Sequence, residues 1–179
     1  LGHSSGAFMM PNMANSVSFD KAVMMARNAR ALQDVIIDQY VYLNSLNPTK
    51  EGENEIATIK KEVSFLTSKK FNTTLSSDEL PLGLSAKYWQ SLLNYKPLVE
   101  VKKVAIPLLI LNGERDYQVT MKEFNLWKKT LGKTKTQFIS YPKLNHLFIT
   151  GEGTPSPEEY SVKGKVDQKV IQDIITFCK

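Results

Sequence analysis

The sequence predicts an α/β fold in which parallel strands are flanked by helices and interrupted by a helical insertion. Three observations lead there. Gly2-His3-Ser4-Ser5-Gly6 has the glycine-bracketed form of a tight strand-to-helix turn. Ile106-Pro107-Leu108-Leu109-Ile110-Leu111-Asn112-Gly113 is a short continuous apolar run, the form of a strand buried on both faces of a parallel sheet, with Pro107 near its start. Between them, residues 28–95 carry helical signals over a stretch longer than a βαβ crossover needs.

Composition narrows the class of protein. The 179 residues suffice for one domain or most of one, and 42% hydrophobic with 23% charged residues is ordinary for an α/β chain. The net charge of +5 comes from scattered lysines, which reads as a solvated surface and not as a nucleic-acid footprint. One cysteine, Cys178, leaves no internal disulfide, and with only two distant histidines no zinc-type ligand spacing exists. No apolar run approaches the roughly 20 residues that span a bilayer.

The elements follow in order. Ala7 to Ala14 reads as a helix apolar enough to be buried on most sides, with Pro11 tolerable only in its first turns. Phe19 to Ala26 reads as a strand. Leu32, Val35, Ile36, Gln39, Tyr40 and Leu43 recur at helical spacing, with Pro48, Gly52 and Asn54 as interruptions. Ile56, Ile59, Val63 and Leu66 then repeat that spacing on a second amphipathic helix. After a polar loop at 72–79, Ser85 is a good N-cap for a helix over 86–93. Thr120-x-x-Glu123 has the form of a capping box opening a helix from Met121 to Leu131, ended by Gly132. Thr136 to Tyr141 is the next strand, stopped by Pro142. Ser156-Pro157-Glu158-Glu159 suits a short helical turn. A last helix, about Asp167 to Cys178, is expected to bury Val170, Ile171, Ile174, Ile175 and Phe177.

The chemistry-bearing residues fall at the ends of these strands. Gly2 to Gly6 matches G-x-S-x-G, a turn that exposes a serine hydroxyl above a sheet, and glycine is expected at both ends because the turn leaves no room beside the serine. A serine hydroxyl needs a base to take its proton, normally a histidine held in one tautomer by a carboxylate. His3 lies beside Ser4 on the backbone and points the wrong way. By elimination the base is His146, in the loop after the strand 136–141. The acid belongs after the preceding strand, where Asp116 is favoured over Glu114 because the turn around Gly113 puts Glu114 early. The backbone N–H of Ser5 is the expected first oxyanion donor. His3, Tyr40, Trp89 and Phe148 are candidates for a substrate pocket, as more loosely are Tyr42 and Tyr88. The competing reading for each aromatic is ordinary packing.

On these residues the chain resembles the α/β-hydrolase superfamily. In particular it is similar to bacterial carboxylesterases with a strand ending in Leu-Asn-Gly-Glu-Arg-Asp-Tyr-Gln-Val-Thr (here 111–120) and a base in Tyr-Pro-Lys-Leu-Asn-His-Leu-Phe (here 141–148), followed by Gly-Glu-Gly (here 151–153). The resemblance covers essentially the whole chain. It implies the C-terminal part of an α/β-hydrolase fold, with core segments at 1–27 and 96–179 and a helical lid at 28–95. It also implies hydrolysis of a small carboxylic ester without a cofactor, with Ser4 as nucleophile, Asp116 as acid and His146 as base. Ala7 stands where many members have glycine. The family's first five strands and its second oxyanion donor are expected upstream of Leu1, so the open sheet edge calls for an N-terminal segment of the same fold or for a homo-oligomer. Acyl-peptide hydrolases and acyltransferases carry the same triad, and a catalytically silent fragment is the reading outside enzymes.

Overall fold

A computed structural model describes residues 1–179. The chain divides into two units, one formed by Leu1–Arg30 and Pro97–Lys179, the other by Ala31–Lys96.

The first unit is built on a four-stranded parallel sheet in the order β1-β2-β3-β4, with β1 at Gly2–His3, β2 at Ala22–Met25, β3 at Leu108–Gly113 and β4 at Thr136–Tyr141. Strand β3 is buried along its whole length because each face meets a different apolar layer. Leu108 and Ile110 point to one face, with Met24 of β2. Leu109 and Leu111 point to the other, with Val23 and Met25. This alternation is the period of two that a pleated strand imposes.

Helices cover both faces. α6 (Met121–Leu131) supplies Phe124, Trp127 and Leu131 to the first face, joined by Ala7 of α1 (Ser5–Phe8) and Met10 of α2 (Met10–Ser16). α7 (Gln168–Cys178) supplies Val170 and Phe177 to the second. Ile174 packs there too, but Ile171 and Ile175, expected in the core, are 40% and 49% exposed. They lie one position beyond the 170/174/177 stripe, about 100° further round the helix, and face away from the sheet.

Two further expectations are corrected here. The helix after the turn is broken at Met9, and Met9 and Met13 are exposed. Pro11 has no N–H to give to the Ala7 carbonyl, so the helix restarts with the proline in its first turn. The Thr120–Glu123 capping box does not form. The Thr120 side chain makes no cap bond, and Glu123 turns inward. Its Oε2 accepts from the backbone N–H groups of Ala29 and Arg30 at 2.8 and 2.9 Å, and its Oε1 takes Arg30 Nε at 2.6 Å. A carboxylate 1% exposed thus holds the chain where β2 leads out of the sheet.

The second unit contains α3 (Leu32–Leu46), α4 (Lys50–Leu66) and α5 (Ala86–Asn94). Only residues 47–49 separate α3 from α4. Gly52 and Asn54, expected as interruptions, lie inside α4, because Pro48 ends one helix and Thr49 caps the next by accepting from Gly52 N–H at 3.0 Å. Ser85 caps α5 as expected, accepting from Tyr88 N–H at 3.3 Å. No helix is long and apolar enough to cross a membrane.

Candidate active site

The strand-to-helix turn is tight on one side. A Cβ on Gly2 would sit 2.6 Å from the Gly6 carbonyl oxygen and 2.8 Å from the Ala7 nitrogen, so only glycine fits. At Gly6 the same test meets open space, which corrects the expectation that both glycines are sterically required. Ser4 adopts φ 49° and ψ −118°, a conformation unfavourable for a residue with a side chain. It is pinned by its N–H on the Met25 carbonyl at 2.9 Å and by its own carbonyl, which accepts from Phe8 N–H at 3.1 Å. Ser5 opens α1, so its N–H is one of the first-turn donors that have no acceptor within the helix.

The loops carrying Asp116 and His146 leave the neighbouring ends of β3 and β4. Asp116 and His146 are both buried, and His146 Nδ1 lies 2.7 Å from Asp116 Oδ2. The other carboxylate oxygen, Oδ1, accepts from Gln118 N–H and Val119 N–H, each at 2.8 Å. Those two backbone bonds fix the plane of the carboxylate and leave Oδ2 for the imidazole. Glu114, the less favoured candidate for the acid, instead accepts from the Ser140 hydroxyl at 2.7 Å.

The two loops meet through close backbone packing. Glu114 N–H donates to the Tyr141 carbonyl at 2.9 Å and Arg115 N–H to the Leu144 carbonyl at 3.1 Å. A Cβ on Gly113 would lie 2.2 Å from the Leu144 oxygen and 2.7 Å from the Asn145 oxygen. Backbone cannot yield as a flexible side chain can. Gly113→Ala is therefore expected to separate the loops, with a stability loss of about 1–3 kcal/mol and a rate loss of about 10²-fold. Urea unfolding and ester hydrolysis per active site measure the two effects.

The loop carrying the base is wrapped around Asn145. Its Oδ1 accepts from Leu147 N–H at 3.0 Å and Ile149 N–H at 3.2 Å, and its Nδ2 donates to Glu159 Oε2 at 3.2 Å. Glu159 also binds Arg115 Nη2 through Oε1. The neighbouring Tyr160 accepts from Gln118 Nε2 at 3.0 Å and stacks on Tyr117 with ring centroids 5.9 Å apart. Burial raises the Tyr160 phenol well above its ordinary range, so it remains neutral. Glu159 and Tyr160 stand out only in the folded chain. Their sequence signal is that of a capped turn; the short turn forms at Pro157–Ser161, but the Ser156 side chain makes no cap bond.

His3 joins the turn to the base. Its Nε2 lies 2.8 Å from the His146 carbonyl oxygen, so that nitrogen carries the proton, and the two rings are 4.9 Å apart. No hydrogen bond joins the Ser4 hydroxyl to His146; His3 makes the connection between the turn and the base loop.

The pocket candidates fare differently. Phe148 is 1% exposed and meets His3 and Tyr141 edge-on at 6.1 and 6.0 Å, which makes it a floor beneath the histidine and not a pocket wall. Trp89 is fully buried in the helical unit with its indole N–H on the Pro81 carbonyl at 3.1 Å, a packing role. Tyr40 borders a groove of about 370 Å³ between α3 and α4 with Glu51, Glu55 and Glu62, a lining unsuited to an acyl chain.

A parallel sheet covered by helices on both faces and entered through a glycine-tight strand-to-helix turn is an α/β architecture of the hydrolase type, and in sequence the chain is similar to an esterase. Over 175 residues, 97% of its length, it is 39% identical to Esterase EstD of Thermotoga maritima. The chain spans 40% of that esterase. Among solved structures it is similar to the acylaminoacyl peptidase of Pyrococcus horikoshii, at 16% identity over 81% of this chain and 19% of that one, with a TM-score of 0.46. Est1E from Butyrivibrio proteoclasticus matches at 16% identity over 81% of this chain and 51% of that one, also with a TM-score of 0.46. No family model matches the chain.

Proposed function

We propose that the protein hydrolyses small carboxylic esters with Ser4, His146 and Asp116 as a catalytic triad. The observation that carries this reading is the buried 2.7 Å contact between His146 and Asp116, on loops that His3 ties to the serine turn. The 39% identity to an esterase supports the choice of ester among acyl substrates.

Ser4 Oγ attacks the ester carbonyl carbon while His146 Nε2 takes its proton. Negative charge collects on the carbonyl oxygen, where the Ser5 N–H at the head of α1 stabilises it. The carbonyl re-forms, the alcohol leaves with the proton from His146, and an acyl-serine remains. Water then gives a proton to His146 and attacks the acyl carbon. Collapse frees the carboxylic acid and returns the proton to Ser4. Asp116 stays ionised throughout, holding Nδ1–H and stabilising the imidazolium. The chain's own residues supply every proton transfer in this sequence.

Fluorophosphonate labelling tests the reading, because the reagent forms a covalent bond only with an activated serine. The expected result is a single label mapping to the peptide that contains Ser4 and absent from Ser4→Ala. A folded protein left unlabelled would replace this reading with a catalytically silent one. A substrate panel with peptides, and with alcohols as competing acceptors, separates an esterase from an acyl-peptide hydrolase or an acyltransferase.

A further inference from the structure

We infer that Glu159 is a positioning residue of the triad, a bridge that sets the distance between the acid loop and the base loop. The inference rests on the proposed triad. Its basis is connectivity: the carboxylate binds Arg115, the residue before Asp116, with one oxygen, and Asn145, the residue before His146, with the other.

The surroundings make the bridge specific. Arg115 Nη1 also donates to the Gly153 carbonyl at 2.5 Å and Nη2 to the Glu152 carbonyl at 3.0 Å, so the guanidinium is oriented before it meets Glu159. Asn145 is 2% exposed and uses its amide oxygen for Leu147 and Ile149, which leaves its NH2 to face Glu159. Both groups that reach the carboxylate are donors, so an ionised acid suits the position and an amide does not. Glutamine presents one oxygen and one NH2, and the NH2 must face either Arg115 or Asn145. Tyr160, next in sequence, holds Gln118 on the far side of Asp116. The turn at Pro157–Ser161 therefore grips the acid loop on both sides of Asp116.

Glu159 touches neither substrate nor the reacting atoms, so it acts through geometry. Loosening the bridge lengthens the Asp116–His146 contact, which weakens stabilisation of the imidazolium in the transition state more than it weakens substrate binding. Glu159→Gln is expected to lower kcat about 10- to 10²-fold with KM little changed. Glu159→Asp, which keeps the carboxylate, should recover part of the rate.

Rates are to be expressed per fluorophosphonate-reactive site, which removes any loss of folded protein. A second readout does not depend on turnover. The Nδ1–H proton of His146, hydrogen-bonded to Asp116, should give a far-downfield NMR signal in the parent protein, and this signal should weaken or shift in Glu159→Gln. An unchanged signal, or an unchanged kcat in Glu159→Gln, would overturn the positioning role. Failure of the triad itself reads differently: the parent protein would not label, while the His146 signal would still report on the bridge.

Discussion

Asp116→Asn is expected to lower kcat/KM by about 10⁴-fold while leaving the chain folded. Asp116 Oδ1 holds the N–H groups of Gln118 and Val119, and Oδ2 faces His146 Nδ1. Asparagine keeps the two backbone bonds by leaving its oxygen where Oδ1 lies. Its NH2 then faces Nδ1, and a donor facing that nitrogen selects the tautomer with the proton on Nε2. That nitrogen can no longer accept the proton of Ser4. The alternative amide orientation serves His146 but leaves two backbone donors facing an NH2, one of them the buried Val119 N–H, at a cost of about 1–3 kcal/mol for such a buried group. Steady-state hydrolysis of a chromogenic ester, with circular dichroism and a urea melt as controls, measures the effect. A loss of less than tenfold would remove Asp116 from the triad.

The second large effect concerns stability. Glu123→Ala is expected to cost about 3–5 kcal/mol, the range for removing one partner of a buried ion pair. The carboxylate serves two backbone N–H groups and the Arg30 guanidinium, and Arg30 keeps partial access to water while Glu123 has almost none. Deleting Glu123 removes the carboxylate acceptor of two backbone N–H groups and of Arg30 Nε. For a chain of this size the loss corresponds to a fall in melting temperature on the order of 10 °C. A capping-box role would cost only about 1 kcal/mol, so the size of the shift discriminates the two. Glu123→Gln, which retains an acceptor for the backbone, should fall between them.

Strand β3 was legible in the sequence because a parallel strand buried on both faces is written as a continuous apolar run, as 108–113 is in the structure, while 136–141, only partly buried at the sheet edge, was marked by the proline that stops it. The motif residues were legible too. A strand-to-helix turn around serine restricts its neighbours, and Gly2 carries that restriction in the folded chain. Asp116 and His146, the proposed acid and base, could be singled out because each follows a strand in the order the chemistry needs.

What the linear order could not hold is which side chains turn inward. Glu123 has the spacing of a capping box, and local pattern alone places its carboxylate on the helix it opens. Only the approach of residues 29–30, more than ninety positions earlier in the chain, offers it three donors and draws it into the core. Phe148 stands beside the base in sequence, yet a left-handed backbone at φ 58° and the rings of His3 and Tyr141 bury it as a floor. Glu159 is an unremarkable acid in a surface-like turn until the two loops it joins are brought together. The sequence by itself determined the strands, the turn and the loops that follow β3 and β4, because these depend on burial patterns and local sterics. The tertiary structure alone decided how the loops are tied, because a hydrogen bond between distant residues depends on proximity that no local pattern encodes.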